Sequence, residues 1–169
     1  MKPLLLNSPE ETRKVGALIG KLLKAGDVIA LEGDLGSGKT TLTQGIALGM
    51  GVRQVVNSPT YAIIHEYEGA IPLFHCDPYR LESAEALALI GFEEYFERGG
   101  VVVVEWANLV SELLPEERLS LVVMMTESLD PTFEDTGIRK LQMQPTGARY
   151  VEMTETILKS WESESVKAK

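Results

Sequence analysis

Apolar residues recur every three or four positions in the first part of the chain, at Val15, Leu18, Ile19, Leu22 and Leu23. This spacing places them on one face of an amphipathic helix. Ser8 precedes the stripe as an N-cap, Pro9 suits the first helical position, and Glu11 completes a capping box. Gly26 then ends the helix. The pattern predicts a helix that begins near Pro9 and packs against a core.

The next apolar run, residues 28–31, is short, and a glycine-rich segment follows it directly. A continuous apolar run of this length is typical of a strand buried in a parallel sheet. Residues 40–48 then have helical character, and Gly49 and Gly51 end that helix. Strand, glycine loop and helix therefore follow one another without interruption.

Residues 101–104 give the strongest strand signal, because four consecutive valines are β-branched and apolar on both faces. Such a strand suits the centre of a covered sheet. Residues 61–67 and 71–76 are interpreted as two further strands with Gly69 at the turn between them, and residues 81–90 as a helix.

The C-terminal third is predicted to add two weaker strands, residues 119–125 and 139–143, which we expect at an edge of the sheet. Residues 127–137 between them are acidic and contain Pro131 and Gly137, which indicates a surface loop. The chain then ends in a predicted helix, whose tail is expected to fray from about residue 163. Its apolar face consists of Met153, Ile157, Leu158 and Trp161.

This order of elements predicts an α/β fold with a mostly parallel central sheet, flanked by helices on both faces. We expect its functional site at the carboxyl ends of the strands. A length of 169 residues, with 44% hydrophobic and 24% charged residues, fits a single domain over residues 1–169.

Charge and cysteine content narrow the function. Twenty-five acidic against 16 basic residues give a net charge of −9, so direct binding of a nucleic acid is not expected. A single cysteine, Cys76, excludes an internal disulfide, and the expected compartment is the cytoplasm. Residues 1–6 are too short for a signal peptide, and no stretch approaches the roughly 20 apolar residues that span a bilayer. Neither secretion nor membrane insertion is expected.

The glycine-rich segment satisfies the motif G-x-x-x-x-G-K-[ST] in full, as Gly33, Asp34, Leu35, Gly36, Ser37, Gly38, Lys39 and Thr40. Its place between a strand and a helix is the context that a phosphate-binding P-loop requires, so the sheet is predicted to be P-loop NTPase-like. Glycines let backbone N–H groups approach phosphate oxygens. Lys39 is expected to reach the β- and γ-phosphates, and the hydroxyl of Thr40 to bind Mg²⁺. Asp34 is less typical, because a carboxylate near phosphates weakens binding unless it faces solvent or a hydrogen-bond partner.

A P-loop enzyme also needs a carboxylate near the phosphates to hold Mg²⁺ or its water. Glu105 directly follows the four valines, and Asp77 follows the strand at 71–76. We assign Glu105 to the metal, and Asp77 to aligning water or supporting the metal ligands. For both, the alternative is an acidic residue that merely ends a strand at the surface. Trp106 and His75 are interpreted as structural residues.

Thr60 belongs to the segment Asn57-Ser58-Pro59-Thr60, which lies between the P-loop helix and the next strand. P-loop switch proteins place a threonine that senses the γ-phosphate and Mg²⁺ at this point. A simple Ser-Pro turn explains the segment equally well, and both interpretations stay open.

These segments resemble one family closely, the TsaE (YjeE) family of small ATPases in bacterial tRNA threonylcarbamoyladenosine synthesis. The resemblance covers roughly residues 5–110 and also accounts for Asp34 inside the loop. It is carried by the loop with Thr41 after it, then by Ser58-Pro59-Thr60-Tyr61, by Phe74-His75-Cys76-Asp77-Pro78-Tyr79-Arg80-Leu81, and by Val104-Glu105-Trp106.

The resemblance implies an ATPase that works with the TsaB–TsaD heterodimer, which transfers a threonylcarbamoyl group to adenosine 37 of tRNAs reading codons that begin with A. ATP binding and hydrolysis would reset or license that partner, and tRNA would be contacted only through the complex. In this family pattern Thr40 and Glu105 match the magnesium positions, and Asp77 matches the other essential acidic position. Pro9 would lie beside the nucleotide base.

Three other functions remain as alternatives. A small-molecule kinase would need a lid with arginines, but the C-terminal part contains only Arg118, Arg139 and Arg149, widely spaced. A GTPase would need an Asn-Lys-x-Asp segment, which the chain lacks. A nucleotide-binding assembly factor without significant hydrolysis is the third alternative. Because no arginine stands out as a finger, we expect slow hydrolysis by the chain alone and stimulation by a partner.

Overall fold

A seven-stranded sheet runs through the computed structural model of the chain, which describes residues 2–59, 62–126 and 137–167. The strands are β1 (Leu4–Leu6), β2 (Val28–Glu32), β3 (Ile64–Tyr67), β4 (Leu73–Cys76), β5 (Val101–Glu105), β6 (Arg118–Met125) and β7 (Arg139–Thr146). The helices are α1 (Pro9–Leu22), α2 (Lys39–Gly49), α3 (Ala84–Leu89) and α4 (Ala148–Lys167), with 3₁₀-helices at Phe92–Glu97 and Ala107–Leu113.

The order of the strands in the sheet is β1-β7-β6-β2-β5-β4-β3. The four central strands, β6, β2, β5 and β4, run parallel to one another. In contrast, β3 at one side and β7 and β1 at the other pair antiparallel with their neighbours. The predicted α/β fold, with a P-loop NTPase-like sheet that is parallel in its core, is confirmed.

Both faces of the sheet are covered, because alternate residues of a strand point to opposite faces. Ile29, Leu31 and Val103 pack into one apolar cluster with residues of α1, α2 and α4. Ala30 and Val104 pack into a second cluster with residues of α3 and the two 3₁₀-helices. The two clusters explain why the runs at 28–31 and 101–104 are apolar at every position.

Close packing against α1 fixes the position of α2. A Cβ atom added to Gly16 of α1 would lie 2.6 Å from the carbonyl oxygen of Leu42, and one added to Gly45 of α2 would lie 2.3 Å from that of Arg13. Only glycine permits backbones to approach this closely. α2 therefore has little freedom to slide along α1.

The start of α1 confirms the predicted N-cap, whereas the capping-box bond expected from Glu11 is displaced by one residue, to Asn7. The Ser8 hydroxyl accepts a hydrogen bond from the backbone N–H of Glu11 at 3.2 Å, and the Glu11 carboxylate accepts one from the backbone N–H of Asn7 at 2.7 Å. Pro9 occupies the first helical turn. The bond to Ser8 satisfies a donor that the helix N-terminus would otherwise leave without a partner, and the bond from Asn7 ties the preceding residue to the first turn.

The expected edge position of the last two strands was wrong. β6 lies between β7 and β2, and β7 lies between β6 and β1. The edge on this side is β1, whose three residues were not predicted as a strand because so short a run has no periodicity to detect. Because β1 pairs with β7 and forms the edge, β7 is the second strand from that edge.

Other boundaries differ by a few residues. The helix predicted over 81–90 is confined to α3, which begins after Ser83, whose hydroxyl caps the backbone N–H of Ala86 at 3.2 Å. The strand predicted over 61–67 begins at Ile64, while residue 61 and residues 127–136 of the predicted surface loop lie outside the described part. α4 continues to Lys167, past the point where fraying is expected. Throughout the described ranges, no helix has the length and apolar character needed to cross a bilayer.

Candidate functional site

The carboxyl ends of three neighbouring parallel strands meet at one edge of the sheet. Leu31 of β2 is paired with Glu105 of β5, and Cys76 of β4 is paired with Val104. The loop after β2, the last residue of β5 and Asp77 directly after β4 therefore lie side by side. This arrangement brings the predicted phosphate loop and both predicted carboxylates together.

The phosphate loop turns into α2 through glycines with backbone angles that other residues rarely adopt. Gly36 has φ +76° and Gly38 has φ +106°. A Cβ atom added to either glycine would meet no protein atom within 4 Å, so this side of the loop is open. Both glycines line a cavity of about 430 Å³, in which backbone N–H groups can face an anion.

Lys39 begins α2 and is buried, with 4% of its surface exposed. Its ammonium donates hydrogen bonds to the carbonyl oxygens of Gly33 at 2.7 Å and Asp34 at 2.8 Å. Burial lowers the pKa of Lys39, and the nearby carboxylates of Glu105 and Asp77 counteract part of that effect. The loop thus holds a cation at the floor of the cavity.

Thr40 and Glu105, the two residues that the sequence predicts to bind magnesium, are in direct contact. The Thr40 hydroxyl lies 3.0 Å from Oε1 and 3.1 Å from Oε2 of Glu105, which is 2% exposed. His75 lies on the other side of this carboxylate, with its Nε2 2.8 Å from Oε1. The imidazole and the carboxylate thus share a hydrogen bond inside the site. His75 is therefore more than a strand residue, because it orients Glu105.

Asp77 is held by two hydrogen bonds, one of them from the segment that precedes β3. Its Oδ2 accepts a hydrogen bond from the Ser58 hydroxyl at 2.8 Å, and its Oδ1 accepts one from the backbone N–H of Tyr79 at 3.1 Å. Ser58 was not assigned a role from the sequence, although it belongs to the Ser-Pro-Thr segment that carries the resemblance. Thr60, the proposed γ-phosphate sensor, lies outside the described residues.

Trp106, interpreted from the sequence as a structural residue, also lines the cavity. Its φ of +54° is unusual for a residue other than glycine and turns the chain directly after Glu105. The indole ring stacks on Tyr79 with 4.5 Å between ring centroids, and the ammonium of Lys39 lies 3.9 Å from the centroid of the indole ring. The geometry allows a cation–π interaction between lysine and indole.

The cavity draws its walls from both sides of the site. Thr41, Tyr79 and Arg80 contribute in addition to the residues assigned above. Its complete lining is Leu35, Gly36, Gly38, Lys39, Thr40, Thr41, Ser58, Asp77, Tyr79, Arg80, Glu105 and Trp106. A cavity of this size, lined by both cationic and anionic groups, is suited to a phosphate ligand with a divalent cation.

A second, smaller cavity of about 80 Å³ lies on the other side of the loop. Pro9 and Thr12 of α1 line it together with Thr41 and Arg139, and Gly36, Ser37 and Gly38 complete the wall on the loop side. Pro9 thus lies beside the loop, where the resemblance implies the nucleotide base.

Two residues of the motif take no part in either cavity wall. The Asp34 side chain is exposed to solvent, which meets the condition under which a carboxylate is tolerated in this loop. Gly33 contributes its carbonyl oxygen to Lys39. A Cβ atom on Gly33 would lie 2.3 Å from the carbonyl oxygen of Val123, so close packing against β6 requires glycine there.

Arg139, the first residue of β7, contacts the phosphate loop and was not predicted as a site residue. Its Nε donates to the carbonyl oxygen of Ser37 at 2.7 Å, and its Nη2 donates to that of Gly36 at 3.2 Å. The loop and Arg139 are 102 residues apart in the sequence. No local pattern could have indicated this contact.

Cys76 lies between His75 and Asp77, but its side chain belongs to the apolar cluster on the opposite face of the sheet. It is 1% exposed. Burial raises the pKa of the thiol well above its usual value, and the charges of Asp77 and Glu105 raise it further. The thiol is therefore an inert structural group.

The chemistry of these residues fits a nucleoside triphosphate with Mg²⁺. The open glycine turn leaves space for phosphate oxygens, and in the described part of the chain the buried Ser37 hydroxyl has no hydrogen-bond partner. Thr40, Glu105 and Asp77 supply hydroxyl and carboxylate oxygens, the ligands that Mg²⁺ prefers. The set contains no soft ligand that would favour another metal.

A β-strand, a phosphate loop and a helix, with a carboxylate at the end of the adjacent parallel strand, define an α/β protein of the P-loop class. Within this class the chain belongs to the TsaE family. Residues 6–133 match the family described as threonylcarbamoyl adenosine biosynthesis protein TsaE. The resemblance that the sequence motifs indicated is confirmed.

Known relatives agree with this membership. The tRNA threonylcarbamoyladenosine biosynthesis protein TsaE of Bacillus subtilis (strain 168) is 50% identical over 135 residues, which cover 78% of this chain and 84% of that protein. The protein of the same name from Nostoc sp. (strain PCC 7120) is 41% identical over 150 residues, 86% of each chain. The crystal structure of YdiB from Bacillus subtilis has a TM-score of 0.77 and 37% identity, with 94% of both chains covered.

Proposed function

We propose that this chain is a Mg²⁺-dependent ATPase that serves threonylcarbamoyladenosine (t6A37) modification of tRNAs reading codons that begin with A. The observation that carries the proposal is the convergence of Lys39, Thr40, Asp77 and Glu105 on one cavity beside the phosphate loop. Membership of the TsaE family supports the link to tRNA modification.

The proposed reaction is in-line attack of water on the γ-phosphate. Lys39 neutralises charge on the transferred phosphoryl group, and Thr40 and Glu105 hold the metal. Bound Mg²⁺ would supply further neutralisation of the phosphate oxygens. Asp77 aligns the attacking water, and its bonds to Ser58 and the Tyr79 N–H fix its two oxygens for this task.

Hydrogen bonds around Glu105 support its assignment. His75 and Thr40 both reach this buried carboxylate, so it has a fixed orientation before any ligand binds. Supporting bonds of this kind set the affinity and geometry of metal sites. Glu105 is therefore a better candidate for the metal than Asp77, which is more exposed.

We further propose that the TsaB–TsaD heterodimer is the partner, that tRNA is contacted only through that complex, and that the chain acts in the cytoplasm. A net charge of −9 supports indirect contact, because the polyanionic backbone of tRNA would be repelled. Tight binding of tRNA by the chain alone at physiological salt would contradict this point.

A small-molecule kinase is the second candidate, and the arginines argue against it. Arg149 is engaged with Asp27, and Arg118 donates to the carbonyl oxygen of Pro115. Arg139 lies against the phosphate loop. All three arginines of the C-terminal part thus have structural partners, whereas a kinase lid needs arginines that close over the transferred phosphate.

The test is ATP hydrolysis by the purified chain with and without the TsaB–TsaD pair, in wild type and in Lys39→Ala, Asp77→Ala and Glu105→Ala. We expect slow turnover alone, stimulation by the pair, and loss of stimulated hydrolysis in the three variants. Glu66→Gln is the control, because this exposed carboxylate pairs with Arg98 at the sheet edge.

Three results would contradict the proposal. Turnover on the order of ten per second by the chain alone, typical of ordinary enzymes, would exclude dependence on a partner. Transfer of the γ-phosphate to a small molecule would favour the kinase. Nucleotide binding without hydrolysis, even with the pair present, would leave only the assembly factor.

A further inference from the structure

Arg139 is a buried cation that the proposed reaction does not use. It is 8% exposed, and its guanidinium lies under the phosphate loop. A buried arginine is costly unless its N–H groups find acceptors. Here the carbonyl oxygens of Ser37 and Gly36 provide them, at 2.7 Å and 3.2 Å.

The bond to Ser37 has a consequence for the next N–H group. In a planar trans peptide, the carbonyl oxygen of one residue and the N–H of the following residue point in opposite directions. Arg139 draws the Ser37 carbonyl towards β7, so the N–H of Gly38 points away from β7. Gly38 lines both cavities, and Arg139 lines only the smaller one, so the side away from Arg139 is the larger cavity, where the phosphates are proposed to bind.

Two cations divide the carbonyl groups of the loop between them. Lys39 takes the carbonyl oxygens of Gly33 and Asp34, while Arg139 takes those of Gly36 and Ser37. Lys39 is also the residue proposed to bind phosphate oxygens, so its bonds to the loop compete with that role. Arg139 approaches from β7 and can keep its bonds while a ligand is bound.

We propose that Arg139 is a positioning residue of the phosphate loop, which turns the Gly38 N–H towards the ligand and thereby sets the affinity for polyphosphate. The inference rests on the proposed function, since it concerns the same site. Arg139 lies outside residues 6–133, the segment that the family description matches. The C-terminal strand therefore contributes to a site that is otherwise built from the first two thirds of the chain.

Substitutions at Arg139 can show whether the residue acts through the geometry of its two hydrogen bonds or only through its positive charge. Arg139→Lys keeps the positive charge but cannot span two carbonyl groups with a rigid planar fork, and Arg139→Met removes charge and donors together. Arg118→Met is the matched control, because Arg118 begins the neighbouring strand β6 and donates to the carbonyl oxygen of Pro115, away from the loop.

The experiment measures the affinity of folded protein for ADP and for inorganic tripolyphosphate by calorimetry, well below each variant's melting temperature. We expect Arg139→Met to weaken both ligands by the same factor, roughly ten- to hundredfold, as expected for loss of hydrogen bonds from a charged group. Arg139→Lys should remain weaker than wild type by roughly fivefold or more. Arg118→Met should bind like wild type.

Several outcomes would overturn the inference while the proposed function survives. Wild-type affinity in Arg139→Met would show that the loop does not need the residue. Wild-type affinity in Arg139→Lys would show that only the positive charge of the residue matters. Weaker ADP binding with unchanged tripolyphosphate binding in Arg139→Met would show that Arg139 contacts the nucleoside part of the ligand. A wild-type chain that binds neither ligand would instead refute the proposed function itself.

A measurement on the wild type keeps the inference testable even if the variants fold poorly. The amide resonance of Gly38 should shift when tripolyphosphate is added, whereas that of Gly51 should not. Gly51 also has positive φ but lies beyond the far end of α2. An unchanged Gly38 amide at saturating tripolyphosphate would overturn the inference.

Discussion

The two sides of the cavity are built in different ways. The loop side, residues 33–40, is continuous in sequence, and cationic side chains hold its carbonyl groups. The acidic side brings together Ser58, Asp77 and Glu105 from separate segments, and side-chain hydrogen bonds hold it. We therefore expect the loop side to govern nucleotide affinity and the acidic side to govern hydrolysis.

The largest expected effect is on the acidic side. Glu105→Gln keeps the shape of the side chain but removes its charge, so hydrolysis should fall by roughly 10²–10³-fold, as expected for loss of one electrostatic group acting on the reacting phosphate. Binding of ADP without Mg²⁺ should be retained. Phosphate release and calorimetry with and without Mg²⁺ measure the two quantities.

Glu66→Gln serves as the control for this substitution, because it removes a carboxylate from the edge strand β3. The assignment of affinity to the loop side and of hydrolysis to the acidic side would be wrong if Glu105→Gln weakened metal-free ADP binding as strongly as it slowed hydrolysis.

A smaller effect, on affinity, is expected on the loop side. Lys39→Met removes the ammonium while keeping a side chain of similar length, and binding of ADP should weaken by roughly ten- to hundredfold, because charge-assisted hydrogen bonds to phosphate are lost. Calorimetry in the absence of Mg²⁺ isolates this effect from the metal. Lys140→Met, an exposed lysine of β7, is the control. Unchanged ADP affinity in Lys39→Met would remove the basis for assigning affinity to the loop.

The smallest expected effect comes from the support of Asp77. Ser58→Ala removes the hydroxyl that lies 2.8 Å from Oδ2, and hydrolysis should slow by roughly tenfold, the usual effect of one hydrogen bond to a charged group. ADP affinity should not change. Ser83→Ala, which removes a helix cap distant from this contact, should leave both quantities unaltered. A loss of affinity without a loss of rate would place Ser58 on the loop side.

The loop side is continuous in sequence and the acidic side is assembled from separate segments, and this difference explains how much of the site the sequence could predict. The loop is a local motif, and its flanking strand and helix are each visible as a run of residues, so the amino-acid sequence alone was enough to place Lys39 and Thr40 between the loop and its helix. The carboxylates could also be named, because parallel strands end at one edge of the sheet. Asp77 directly after β4 and Glu105 as the last residue of β5 agree with that expectation.

Contacts between distant segments could not be predicted. His75 reaches Glu105 because β4 and β5 pair in a register that places His75 opposite Val103, two residues before Glu105 on the same face. Arg139 reaches the loop because β7 pairs with β6, which lies beside β2, the strand that leads into the loop. Trp106 lines the cavity and has a positive φ directly after the end of β5. Each depends on tertiary geometry that leaves no periodic signal in the sequence.

Burial of the chain's single cysteine also makes the protein convenient for labelling experiments. Cys76 is 1% exposed and its thiolate is disfavoured, so maleimide reagents should attach instead to a cysteine introduced at the surface. Leu89, which is 87% exposed at the end of α3, is a suitable position for Leu89→Cys. A fluorophore at that position could follow complex formation with the native Cys76 left in place.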